Sequence, residues 1–226
     1  RPLRGGTEGV WRDFLALLST PTLNLDAFLV LCSQAVSVLP LSGRLWAVYL
    51  RAITRCQRPK SHMLALYEKA AHSRGVALLG GASLLSLLQA RIDCERAYAA
   101  MELAHAQKKS PDQVLVVTEM DHFMHVYELF LHSISAMQRL PASEQDASVA
   151  LERCAVDWIE RAARALAQTA GLEASAGLYP LADDVWTHAL EQHPMHAFAY
   201  LEAAQYFQRR DDDKRARQTY KAAMAK

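Results

Sequence analysis

Two stretches of this chain repeat one another, and that repetition restricts the fold more than any other feature. In one, Ala35 is followed five positions later by Pro40 and six further on by Trp46; in the other, Ala189, Pro194 and Tyr200 keep the same spacing. Each stretch leads into a segment with the form aromatic-x-x-Ala. Tyr67 and Ala70 lie 27 and 30 residues after Pro40, and Tyr220 and Ala223 lie 26 and 29 after Pro194. Trp186 and Ala189 have the same form, and Trp11 with Phe14 precedes Trp46 with Tyr49 by 35 residues. A period near 35 with two helices per unit predicts a solenoid of helical hairpins. The spacing has a physical basis. Aromatics three apart share one helical face, and a small Ala three after an aromatic lets a second helix approach. A Pro ends one hairpin and sets the turn into the next. No hairpin buries its apolar face alone, so units must stack.

Composition agrees with helices. Of the 226 residues 51% are hydrophobic, which excludes a disordered chain, and nine Gly with eight Pro are too few for a sandwich or barrel built on many tight turns. No segment sustains the strict alternation of a half-buried strand. Breakers and periodicity predict helices over 8–18, 24–38, 43–57, 60–74, 82–92, 94–107, 112–139, 144–169, 178–191, 195–209 and 212–226. Ser42, Ser61, Ser110 and Ser143 are expected N-caps, and Pro111 is expected at a first helical position. The acids of Asp211–Asp213, and of Asp183–Asp184, read as helix-start carboxylates. Gly75 and Gly171 are expected C-caps, and Gly80-Gly81 reads as a turn.

Charge and cysteine usage narrow the function classes. Lys plus Arg total 25 against 24 Asp plus Glu, so the balance argues against a chain whose main work is non-specific phosphate neutralisation. Cys32, Cys56, Cys94 and Cys154 are spaced 24, 38 and 60 apart, with no CxxC, which predicts reduced thiols and an intracellular protein. The apolar stretch Leu25–Leu41 is broken by Cys32, Ser33, Gln34, Ser37 and Pro40, so no membrane span is expected. The chain begins at Arg1 and ends within helical sequence, which predicts a piece of a longer protein.

Signatures of chemistry are missing from the sequence. It contains no GxxxxGK[ST], GxGxxG, GxSxG or HExxH, so no enzyme and no cofactor are expected. His122, His125 and His132 fall on one helical face, and His188, His193 and His196 form a second group. Asp121 and Glu128 lie near the first but complete no ligand set, so no metal is expected. Three basic runs remain as candidate contacts for RNA phosphates or an acidic partner. These are Arg51, Arg55, Arg58 and Lys60; Arg209, Arg210, Lys214, Arg215 and Arg217; and the weaker Gln107-Lys108-Lys109.

The repeated residues resemble the HAT (half-a-TPR) repeat family, which has an aromatic pair in its first helix, a Y-E-x-A-like stretch in its second, and a Pro after it. The matches are Trp11/Phe14, Trp46/Tyr49, Tyr67/Glu68/Ala70, Trp186/Ala189/Pro194 with Tyr200, and Ala216/Arg217/Tyr220/Ala223. They cover the outer thirds. In the middle, about 76–170, Leu84–Leu88 stand where an aromatic pair belongs. Within the family, Leu39–Leu50 and Gln192–Tyr206 are similar to the scaffold group of cleavage-stimulation factor, which works in mRNA 3′-end formation. The first passage is also similar to the HAT groups of the U1 snRNP and of U4/U6 recycling. The resemblance implies an all-α, right-handed solenoid, one array of about five to six hairpins over 1–226. It implies a nuclear scaffold that docks protein subunits of an RNA-processing complex, with any homodimer made through regions outside this chain. The Trp and Tyr positions are then packing residues.

Overall fold

The computed structural model describes residues 7–18, 24–72, 80–109, 115–170 and 175–225. Among them the chain is all-helical, without a strand. The helices are α1 (Glu8–Leu18), α2 (Leu25–Val38), α3 (Gly43–Arg55), α4 (Lys60–His72), α5 (Gly81–Lys109), α6 (Leu115–Met137), α7 (Gln145–Ala170), α8 (Tyr179–Gln192), α9 (Ala197–Arg209) and α10 (Asp213–Met224), with a 3₁₀ turn Ala142–Glu144 before α7. The chain divides into two compact units, one ending at Leu129 and the other beginning at Phe130.

The two helices expected over 82–92 and 94–107 are one 29-residue helix, α5. Asp93 and Cys94 do not interrupt it, because neither lacks a backbone donor or clashes with the preceding turn as a proline would. Ser42 caps α3, its Oγ accepting from Leu45 N at 3.2 Å. Asp212 caps α10, accepting from Arg215 N at 3.0 Å. Asn24 caps α2, accepting from Asp26 N at 2.9 Å. Ser61 does not cap α4: it lies inside the first turn, and Pro59 O receives the amides of His62 and Met63 instead. Ser143 lies within the 3₁₀ turn. The expected features at Ser110, Pro111, Gly75 and Gly171 lie outside the described residues.

In the first unit α3 is covered by α2, α4 and α5. Its core holds Trp11, Leu15, Phe28, Cys32, Leu45, Trp46, Leu50, Ile53, Met63, Leu87 and Ile92. Leu84, Leu87 and Leu88, the residues standing in place of an aromatic pair, are buried as well. Gly43 opens α3 against the backbone of α5: a Cβ there would sit 2.1 Å from Ser83 O. In the second unit α8 packs on α7, and α9 packs most closely on α10. The core there includes Phe130, Ile134, Val149, Trp158, Ile159, Trp186 and Tyr206.

The repetition in sequence has a structural counterpart, one instance in each unit. After α2, Leu39 N bonds Ala35 O at 3.0 Å and Ser42 N bonds Leu39 O at 3.1 Å; after α8, His193 N bonds Ala189 O at 2.9 Å and His196 N bonds His193 O at 3.1 Å. Trp46 Nε1 then donates to Pro40 O at 2.9 Å, and Tyr200 Oη donates to Pro194 O at 3.4 Å. The spacing Pro-x₅-aromatic is therefore the reach of an aromatic donor on the first turn and a half of a helix back to the carbonyl of the turn before it. The next turn matches too. Among the described residues, Gln57 and Asp211 are the non-glycine residues with left-handed φ, +51° and +57°, and Arg58 N bonds Ile53 O as Asp212 N bonds Phe207 O. One fewer residue in the second turn explains the shift from 27 to 26, and it brings Tyr67 and Ala70 into register with Tyr220 and Ala223.

Candidate functional site

The packing positions divide by burial. Trp11, Trp46, Trp186, Ala70, Ala189 and Ala223 are buried, Phe14, Tyr49, Tyr67, Tyr200 and Tyr220 are half-buried, and Pro194 is exposed. The rings of Trp46 and Tyr49 stack at 6.3 Å and those of Trp11 and Phe14 meet edge-on at 6.2 Å. The helical face they share is used for packing on neighbouring helices.

The basic turns have internal partners. Around α3 and α4, Arg51 gives Nε and Nη2 to Asp93 Oδ2, Arg58 pairs with Asp26, and Lys60 Nζ lies 2.7 Å from Glu95 Oε2. Around α9 and α10, Arg209 reaches Glu160 at 3.4 Å, Arg217 reaches Asp213 at 3.6 Å, and Arg210 lies over the Tyr179 ring at 3.4 Å. Arg215 joins Asp183 at 2.9 Å and Asp212 at 2.6 Å, and lies over the Phe207 ring. Lys214 is exposed beside this group. Asp183 is not a helix-start acid: it lies within α8, where it accepts from Tyr206 Oη at 2.7 Å and ties α8 to α9 and α10. Burial, then the bond to Asp183, pushes the Tyr206 phenol up. Of the third run, the side chains of Gln107 and Lys109 lie outside the described residues, and Lys108 is exposed.

Two carboxylates are buried among bases. Glu95, 2% exposed, meets Lys60, Arg91 Nη2 at 3.4 Å and His125 Nε2 at 3.7 Å, so α4, α5 and α6 meet on one charge. Glu152 lies 3.3 Å from His193 Nε2, and both are buried. His193 Nδ1 and Glu152 Oε2 have no hydrogen-bond partner among the described residues. His196 pairs with Asp146 at 2.9 Å, while His188 is exposed. His125, His193 and His196 thus each meet a different carboxylate. Among the described residues no three of His, Cys, Asp and Glu gather as metal ligands would.

The first basic turn borders a groove. Two adjoining cavities of about 590 and 380 Å³ share Gln57 and Met101. α5 supplies the floor through Cys94, Ala97, Tyr98 and Met101, with Glu102 and His105 farther along. The α3–α4 turn supplies the wall through Arg51, Arg55, Arg58, Pro59 and Lys60. Tyr98 Oη donates to Arg58 O at 2.7 Å and fixes the turn to the floor. Burial pushes both the Cys94 thiol and the Tyr98 phenol up. Neither is poised as a nucleophile at neutral pH, since reactivity belongs to the thiolate. The groove can hold apolar surface beneath a cationic edge.

The basic residues of the wall are evident in the sequence, but the floor is not. Cys94, Ala97, Tyr98, Met101 and His105 recur at helical spacing, which is the signal that joins them, and the expected break at residue 93 cuts across their helix. Comparison of the chain with family models, with curated proteins and with solved structures found no match.

Proposed function

We propose that this chain is a protein-docking scaffold of the HAT kind, a right-handed solenoid of helical hairpins, working without a catalytic centre. The repeated hairpin supports this reading: Ala35–Arg58 and Ala189–Asp212 share turn hydrogen bonds, a left-handed residue and an aromatic-to-proline-carbonyl bond. Such units present extended preformed surfaces. The near-zero net charge of +1 favours protein partners over phosphates. On the resemblance of Leu39–Leu50 and Gln192–Tyr206, the complex is the nuclear machinery of pre-mRNA 3′-end cleavage and polyadenylation; the alternative is a spliceosomal snRNP.

Affinity purification of the full-length protein with identification of its partners tests this. Cleavage and polyadenylation subunits are the expected catch. Recovery of snRNP proteins alone moves the assignment to splicing, and recovery of no RNA-processing subunit would remove the reading. Direct RNA contact is the second reading, favoured by Arg217, whose side chain is 79% exposed. It requires affinity that falls steeply with salt.

A further inference from the structure

We propose that the groove between the α3–α4 turn and α5 docks an acidic peptide segment of a partner protein that carries one bulky apolar anchor; this rests on the scaffold reading above. The floor calls for the anchor. Met101 belongs to both cavities, and the larger, about 590 Å³, lies in the size range of sites that enclose ligand groups. The edge calls for the acid. Four Lys or Arg residues line the two cavities against two carboxylates, Asp93 and Glu102, while the partners of Arg58 and Lys60, Asp26 and Glu95, do not line them.

Lys60 is held by the buried Glu95, but the internal ion pairs do not exhaust the guanidiniums of Arg51 and Arg58. A guanidinium carries five N–H donors, and Arg51 directs Nε and Nη2 to a single oxygen of Asp93. The side chains of Arg51 and Arg58 are 48% and 46% exposed, and their partners Asp93 and Asp26 are 48% and 74% exposed. Such pairs are weak in water and exchange readily for a partner's carboxylate. The wall is preformed, because Tyr98 Oη holds Arg58 O at 2.7 Å and Gln57 already takes the left-handed turn conformation. Little ordering cost therefore accompanies docking. Single-stranded RNA suits the groove less well. Tyr98 is only 6% exposed, so it offers no open ring face for a base to stack on.

The test is to pan random peptides of about a dozen residues, displayed on phage, against the 226-residue chain. Enriched sequences should carry Asp or Glu around one bulky apolar residue. A synthetic copy should bind Met101→Glu at least about tenfold more weakly, with circular dichroism confirming that the half-buried position tolerates the change. Glu102→Lys should bind the same peptide several-fold more tightly, a gain that no unfolding can mimic. The proposal is overturned by absence of enrichment, by peptides indifferent to both variants, or by a uridine oligonucleotide that binds the chain and is lost in Met101→Glu. If the groove variants leave peptide binding intact while full-length protein still recovers its partners, the groove assignment falls and the scaffold reading stands.

Discussion

Trp46 shows what one residue contributes. It is 3% exposed, stacks on Tyr49 and donates to Pro40 O. Trp46→Ala should cost ~3–5 kcal/mol in urea unfolding, through lost burial and the cavity left behind. Trp46→Phe and Tyr200→Phe remove the same turn bond from the two hairpins, and each should cost about 1 kcal/mol from the bond alone. The tryptophan change should cost more, because its bond is 2.9 Å against 3.4 Å and the buried indole also leaves unfilled volume; no loss at either site would argue against the bond as the reason for the spacing. Cys32 governs another measurable quantity. Burial is the main cause that pushes its thiol from 9.0 up to about 12. The fold therefore favours the protonated form. That contribution is fully present below pH 9 and is lost as pH rises toward 12, with a slope of up to about 1.4 kcal/mol per unit. Denaturant midpoints between pH 8 and 11 should fall, and Cys32→Ala should flatten part of the decline.

At the scale of elements, close approach and capping decide. Gly43→Ala places a methyl against Ser83 O, which is backbone and cannot rotate aside. The α3 start must move away from α5, an overpacking worth ~1–3 kcal/mol in thermal or chemical unfolding. An unchanged melting temperature would show that the two helices separate freely. Asp212 links charge to the start of α10. The Arg215 amide first, and its guanidinium second, hold the carboxyl below its ordinary value. Because the folded form is the more acidic one, this contribution is present above pH 3.8 and is lost as pH falls through the lower folded value. Asp212→Asn should keep much of the cap and lose the pH dependence, read from unfolding between pH 2 and 5.

At the scale of the molecule, charge is balanced twice. The formal net charge is +1, and the basic turns also meet acids of their own chain. RNA binding by this chain should therefore be weak and should collapse between about 50 and 200 mM salt. Filter binding with a uridine oligonucleotide checks this, and tight binding that survives salt would require a base-contacting surface. The exposed stripe Met195, Phe198 and Leu201 lies outside the groove and belongs to the start of the second unit's repeated hairpin.

Much of this was legible in the chain because its information is local. Apolar spacing, the cap at Ser42, the acids at the start of α10 and the Pro-to-aromatic interval act within a turn or two of helix. They place α1 through α4 and α8 through α10 within a few residues. The break expected at residue 93 is absent from α5, because an Asp there brings neither the missing amide nor the ring clash of a proline. By itself the sequence determined helices, their hairpin phase and the equivalence of two turns 154 residues apart. Tertiary structure alone decided which distant acids Arg51, Arg58, Lys60 and Arg209 meet, that Glu95 and Glu152 are buried, and that α5 floors a groove beneath the first basic turn. Arg51 finds Asp93 across 42 residues and Glu152 finds His193 across 41. Such pairings carry no periodic signature, because they depend on which helical faces pack together and not on the spacing of residues along any one helix.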